Sequence, residues 1–238
     1  MISSVNIKNT ILLLLLLVFN NAYTQTKKNI KLTIQPFFGD LKFKLNQNYY
    51  SSADNDSIRV ETLKFYISEI EFINDNEHSW KEKNSYHLID FENNESQTIL
   101  LNVAKNTHTT QLKFNIGIDS ITSNSGALSG DLDPVNGMYW AWQSGYVNFK
   151  MEGTSPICET RKHQFQFHLG GYKQPFYAMQ RITLPISYLD DNTLQIDFNL
   201  APIFNGISLK ETHSIMIPCK DGMNLSKVVA QLFSTHAL

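Results

Sequence analysis

The patterns by which many enzymes are recognised are missing from this 238-residue sequence. It has no Gly-rich phosphate loop, no Gly-x-Ser-x-Gly elbow, no His-Glu-x-x-His and no Cys-x-x-Cys pair. Those absences exclude the usual signatures of P-loop nucleotide hydrolysis, serine hydrolysis, zincin-type proteolysis and dithiol redox exchange. Charge of one sign is also lacking. Twenty basic residues stand against 22 acidic ones, a net charge of −2, which leaves no basic footprint for nucleic acid or anionic lipid. Long apolar runs are confined to Ile11–Phe19. That run is far shorter than the ~20 residues a membrane-spanning helix needs.

The same run reads differently as part of a leader. Lys8 supplies a weakly basic start, the apolar stretch follows, and Ala22-Tyr23-Thr24 offers small residues where a signal peptidase cuts. Cleavage is expected after Thr24, so residues 1–24 are set aside as a signal peptide and residues 25–238 form the mature chain, periplasmic or secreted. No cysteine follows the apolar run to carry a lipid anchor. The two cysteines, Cys158 and Cys219, would then meet an oxidising compartment together. A disulfide between them is the simplest expectation, and closing so long a loop would contribute ~4 kcal/mol in chain-entropy terms. The rival reading is a thiolate ligand for copper.

What is present is alternation. Ile30–Ile34, Leu41–Leu45, Leu112–Ile116, Phe165–Leu169 and Leu194–Phe198 each place apolar residues at every second position, the period of a half-buried strand. Polar turn clusters separate them, at Ser51–Ser57, Asn93–Ser96 and Thr122–Gly126, spaced for meanders and not for strand-helix-strand units. Ile58–Phe72 reads as one long strand with a bulge near Glu69. Only Leu225–Phe233 shows helical spacing, through Leu225, Val228, Val229 and Leu232. The expectation is an all-β fold, an antiparallel β-sandwich with a short C-terminal helix, in a single domain over residues 25–238.

Few residues suggest chemistry. Asp190-Asp191-Asn192 reads as a hairpin turn. Asp131-Leu132-Asp133-Pro134-Val135-Asn136-Gly137 places oxygens at alternate positions but breaks the calcium-loop pattern at Val135 and lacks a closing glutamate, so a turn is expected. His168 lies in a predicted strand and faces away from Phe167 and Leu169. His213 is followed three residues later by Met216, and imidazole with thioether suits Cu(I). His78, His87, His108, His163 and His236 sit among polar residues and read as surface groups. The run Met138-Tyr139-Trp140-Ala141-Trp142-Gln143-Ser144-Gly145-Tyr146 contains two of the three tryptophans. In an extended strand Trp140 and Trp142 would share one face, as core, as a stacking platform or as an oxidisable site.

Taken together and in order, Leu132-Asp133-Pro134-x-Asn136-Gly137-Met138-Tyr139-Trp140-x-Trp142-x-Ser144-Gly145-Tyr146, Phe149-Lys150-x-Glu152-Gly153, Phe167-His168-Leu169-Gly170 and His213-Ser214-Ile215-Met216 resemble the MbnP family of periplasmic copper-binding proteins linked to methanobactin operons. The stretch Leu63–Phe72 is similar as well. The resemblance implies an exported β-sandwich that is not an enzyme and binds copper as Cu(I). It also implies a tryptophan oxidised to kynurenine by a di-haem cytochrome c peroxidase-like partner. It makes His168 and His213 candidate ligands, Met216 and Met138 weaker ones, and Trp140 or Trp142 the residue to be modified. One departure stands out: relatives often carry Phe-x-His-x-x-Gly in the first strand, where this chain has Ile34-Gln35-Pro36-Phe37-Phe38-Gly39. The alternative from another class is a secreted module that binds glycans or another ligand without metal, on an exposed surface of Trp140, Trp142, Tyr139 and Tyr146.

Overall fold

The computed structural model describes residues 27–51, 56–74, 77–104, 109–142, 145–186 and 192–235. The leader, His108, His236 and Asp190-Asp191 lie outside the described residues, as does the side chain of His78. The first half of the chain supplies strands β1 (Lys27–Phe38), β2 (Leu41–Lys42), β3 (Asn48–Ser51), β4 (Asp56–Asn74), β5 (Glu77–Lys81), β6 (Tyr86–Asp90), β7 (Thr98–Ala104) and β8 (Gln111–Ile116). The second half supplies β9 (Tyr139–Trp140), β10 (Gly145–Thr154), β11 (Gln164–Gly170), β12 (Gln180–Pro185), β13 (Thr193–Asn199), β14 (Ser214–Ile215) and β15 (Phe233–Thr235). Among the described residues three short α-helices interrupt them: α1 (Ser120–Asn124), α2 (Ala201–Gly206) and α3 (Lys220–Ala230).

The strands form two layers, as the alternation requires. In the smaller sheet β1 pairs in parallel with β13 and antiparallel with β7, and β2 and β15 extend it. The larger sheet runs β12-β8-β4-β10-β11-β14, with β3, β5 and β6 added along β4 and β9 along β10. Pairings are antiparallel except β1 with β13 and β11 with β14, so the fold is the mainly antiparallel sandwich expected, with one parallel pairing in each sheet. Leu32, Ile34 and Phe38 of β1 and Leu194, Ile196 and Phe198 of β13 face the interior. They meet Leu63, Phe65 and Ile67 of β4, Phe149 and Met151 of β10, and Phe165, Phe167 and Leu169 of β11 in one apolar cluster. The C-terminal helical pattern is α3, which buries Leu225 and Val229 against this cluster.

One local expectation holds in detail. β4 is a single long strand, and its register slips between Ser68 and Glu71 around Glu69, whose φ is +51°. One extra residue there turns the chain so that alternation resumes on the correct face. Leu41–Leu45 is different: only Leu41–Lys42 forms a strand, and Leu41 is exposed while Phe43 is buried.

Pro36 sits inside β1 without breaking it. β7 pairs with β1 only up to Thr33, and β2 begins at Phe37, so Pro36 falls in the gap between them, where its missing N–H leaves no ladder position empty.

The disulfide expected between Cys158 and Cys219 is not formed in the structure. Cys158 is fully buried in the loop that joins β10 to β11. Cys219 caps the N-terminus of α3, its Sγ accepting the Gly222 N–H at 3.4 Å, and a Cβ on Gly222 would touch both Cys219 Sγ and Leu169. The two cysteines therefore flank opposite ends of β11, whereas a disulfide needs Cα atoms within about 7 Å. Denatured protein purified without reductant should show both thiols to a thiol reagent, and the folded protein should hide Cys158. A denatured chain that reacts only after reduction would contradict the structure.

Candidate metal-binding face

The centre of the larger sheet is covered on both sides. Facing away from the main core, Tyr66, Ile118, Leu132, Met138, Trp140, Tyr146 and Val147 form a second apolar cluster. The segment between β8 and β10 makes this cover. Its Asp131–Gly137 stretch folds as two 3-10 turns, with the Asp133 carboxylate accepting the Val135 N–H at 2.9 Å, the turn expected in place of a calcium loop. The Tyr66 hydroxyl donates to the Asp131 carbonyl at 3.0 Å and the Tyr146 hydroxyl to the Leu132 carbonyl at 3.0 Å. Burial raises the pKa of both phenols. They pin the cover while staying neutral.

Trp140 ends that cover. Strand β9 stops at Trp140 and turns, so Trp142 does not continue an extended strand. The two indoles still touch, with ring centroids 5.7 Å apart, but Trp140 is 7% exposed and Trp142 63%. Trp140 lies on Gly170, where an added Cβ would come within 2.6 Å of the indole and 2.8 Å of the Tyr146 carbonyl. Glycine is required at 170 by this close approach. Tyr146 is buried and Tyr139 half-buried, so the four rings do not form the exposed stacking platform of the metal-free reading.

Below Trp140, two strands bring polar side chains to the same outer face. Gly170 and His168 alternate on β11, and His168 pairs across the sheet with Lys150, while Gln166 pairs with Glu152. His168 is 8% exposed, and its Nε2 lies 2.6 Å from Glu152 Oε1. An ionised carboxylate can only accept, so Nε2 carries a proton, and in the neutral ring Nδ1 keeps its lone pair. This hydrogen bond holds the Glu152 carboxyl below its ordinary value, against burial, and the Lys150 ammonium at 3.5 Å adds to the effect.

The structure separates the remaining candidates. β14 pairs with β11 as Gln166 with Ser214 and Phe167 with Ile215. Met216, 37% exposed, follows directly on Ile215, the last paired residue of β14, which lies opposite Phe167, the neighbour of His168. His213 precedes β14 and is half-buried, its carbonyl accepting the Gln166 N–H at 2.8 Å. Its Nδ1 is buried without a hydrogen-bond partner. Pro36 faces the core, in the other sheet, so a histidine there would not join His168. Met138 is fully buried in the second cluster. His87 pairs with Glu82 at 2.7 Å, and the His163 ring bonds the Cys158 carbonyl at 3.0 Å, so both have local roles.

Among the described residues no group of three or more histidine, cysteine, aspartate or glutamate side chains could hold a metal. Zinc sites are built from three or four such side chains, and no such set occurs among the described residues. An imidazole and a thioether remain a fit for Cu(I), which accepts soft ligands. Glu152 and Gly170 had no assigned role in the sequence. The signal for them was the alternate spacing Lys150-x-Glu152 against Gln166-x-His168 on neighbouring strands.

The MbnP family model matches residues 27–219. In fold, the chain is similar to MbnP from Methylosinus trichosporium, with a TM-score of 0.54 and 15% identity over 78% of this chain and 80% of that one. At that identity the likeness speaks to the fold alone. No curated protein matches the chain.

The depressed carboxyl of Glu152 stays charged in the fold at pH values where the unfolded chain takes up a proton. Its contribution to stability is therefore complete above the ordinary value of 4.5 and is lost as pH falls through the lower folded value. Glu152→Gln should flatten the acid limb of a plot of Tm against pH. An unchanged limb would show that the pair carries no linkage.

Proposed function

Because the chain belongs to the MbnP family, we propose that it is an exported copper-binding protein, not an enzyme, that holds Cu(I) at His168 and Met216 beside Trp140. The observation that carries this reading is the seat of Trp140 on Gly170, two residues from His168 on the same face. Sequence segments far apart in the chain meet there. Glu152 fixes the imidazole through Nε2 and so aims Nδ1, the arrangement by which carboxylates orient metal-binding histidines. Met216 adds a thioether from the neighbouring strand. Bound there, copper would supply a soft, polarising centre next to the indole pair. Trp140 excludes water from one side, and Lys150 balances the charge of Glu152. His213 and Met138 take no part.

Oxidation of a tryptophan to kynurenine by a di-haem cytochrome fits the same face. Trp142, at the turn after β9 and mostly exposed, is the indole a protein-sized oxidant can reach, whereas Trp140 is covered. The ring-opened product would place an amine and a ketone against Trp140.

Competition with a Cu(I) chelator tests the ligand set. Glu152→Gln should weaken Cu(I) binding about 10–100-fold, His168→Ala should weaken it further, and His213→Ala should leave it unchanged. Failure of the unaltered protein to retain Cu(I), or loss of binding in His213→Ala alone, would overturn the assignment. Protein purified from its native host should be heavier by a few daltons and absorb in the near ultraviolet, and peptide mapping should place the change at Trp142. An unmodified Trp142 would remove the oxidation step from this reading.

A further inference from the structure

At the side of the sandwich, away from His168, two edge strands leave a cleft. β5 pairs only with β4 and β7 only with β1, so each presents a free edge. Between them lies an open cavity of about 530 Å³ whose lining includes Lys27, Trp80, Lys81, Glu82, Lys83 and Leu100. That volume falls in the range of small-molecule sites.

The lining has two kinds of chemistry. Trp80 is half-buried, packed on the main core, with its ring centroid 5.6 Å from that of Phe72. Leu100 projects from β7 with 72% of its surface exposed. Together they offer water a flat apolar wall. The charged groups around it are not balanced. Lys81 is occupied by Glu71 at 3.0 Å, and Glu82, the cleft's carboxylate, accepts from His87 at 2.7 Å and from Ser85 at 2.6 Å. Among the described residues no ion pair engages Lys27 or Lys83.

We infer that this cleft binds a small organic anion with a flat apolar face, the face stacking on Trp80 and Leu100 and the anionic group meeting Lys27 and Lys83. Indole supplies area at low entropic cost, and the ammonium groups select charge. Aromatic acids and acidic sugars share this chemistry.

Calorimetry on the full mature chain separates them, with 1-naphthalenesulfonate and a uronic acid oligosaccharide as probes and their uncharged counterparts as controls. Saturable binding of one probe is expected, weakening as salt is raised, at least tenfold tighter than its neutral counterpart. The exposed double substitution Lys27→Glu with Lys83→Glu should weaken it at least tenfold without moving Tm. Trp80→Phe should weaken it less, and His168→Ala should leave it unchanged, which keeps this result independent of the copper site. Absence of saturable binding by both probes, or binding that survives the double charge reversal, would overturn the assignment.

Discussion

Phe65 and Tyr66 are neighbours in the chain, point to opposite faces of β4, and are both fully buried. Everything about the site follows from that double burial. A strand in a two-layer sandwich ordinarily shows one face to water, yet here the outer face of β4 and β10 carries a second apolar cluster. The cover over it consists mostly of turns and 3-10 segments, held by two buried phenols donating to main-chain carbonyls. The second cluster ends at Trp140, and the polar face begins at once with His168, Glu152 and Lys150. The site lies on that boundary, where the local dielectric falls without the side chains being lost to the core.

This placement gives the His168 and Glu152 pair its character. Each partner is screened from water by the cover on one side and by the neighbouring strand on the other, and each is kept hydrogen-bonded. Because the pair bridges β10 and β11 in directly adjacent registers, rigid sheet backbone fixes its geometry, not a loop. A preorganised imidazole of this kind spends little of its binding energy on ordering.

Much of the architecture was legible in the sequence, because the period of two along β1, β8, β11 and β13 directly reflects a half-buried face. The bulge was legible as well, since the apolar pattern of Ile58–Phe72 changes phase near Glu69. What escaped detection depends on the third dimension. Trp140 and Trp142 look equivalent on paper because alternation assumes the strand continues, whereas a turn separates one buried indole from one exposed. The cysteines suggest a bridge until β11 places them at opposite ends. Glu152 carried no label because a carboxylate in a strand gains meaning only from the strand beside it.

The contact of Trp140 with Gly170 fixes how this pocket can be altered. A methyl group at 170 would strike both the indole and the Tyr146 carbonyl, so no side chain can enter there while Trp140 stays. Replacing Trp140 alone would leave a hollow beside His168 that water can fill. Since the Tyr146 carbonyl would still block a side chain at 170 after Trp140 was trimmed, a redesign of this pocket can enlarge it from the indole side only.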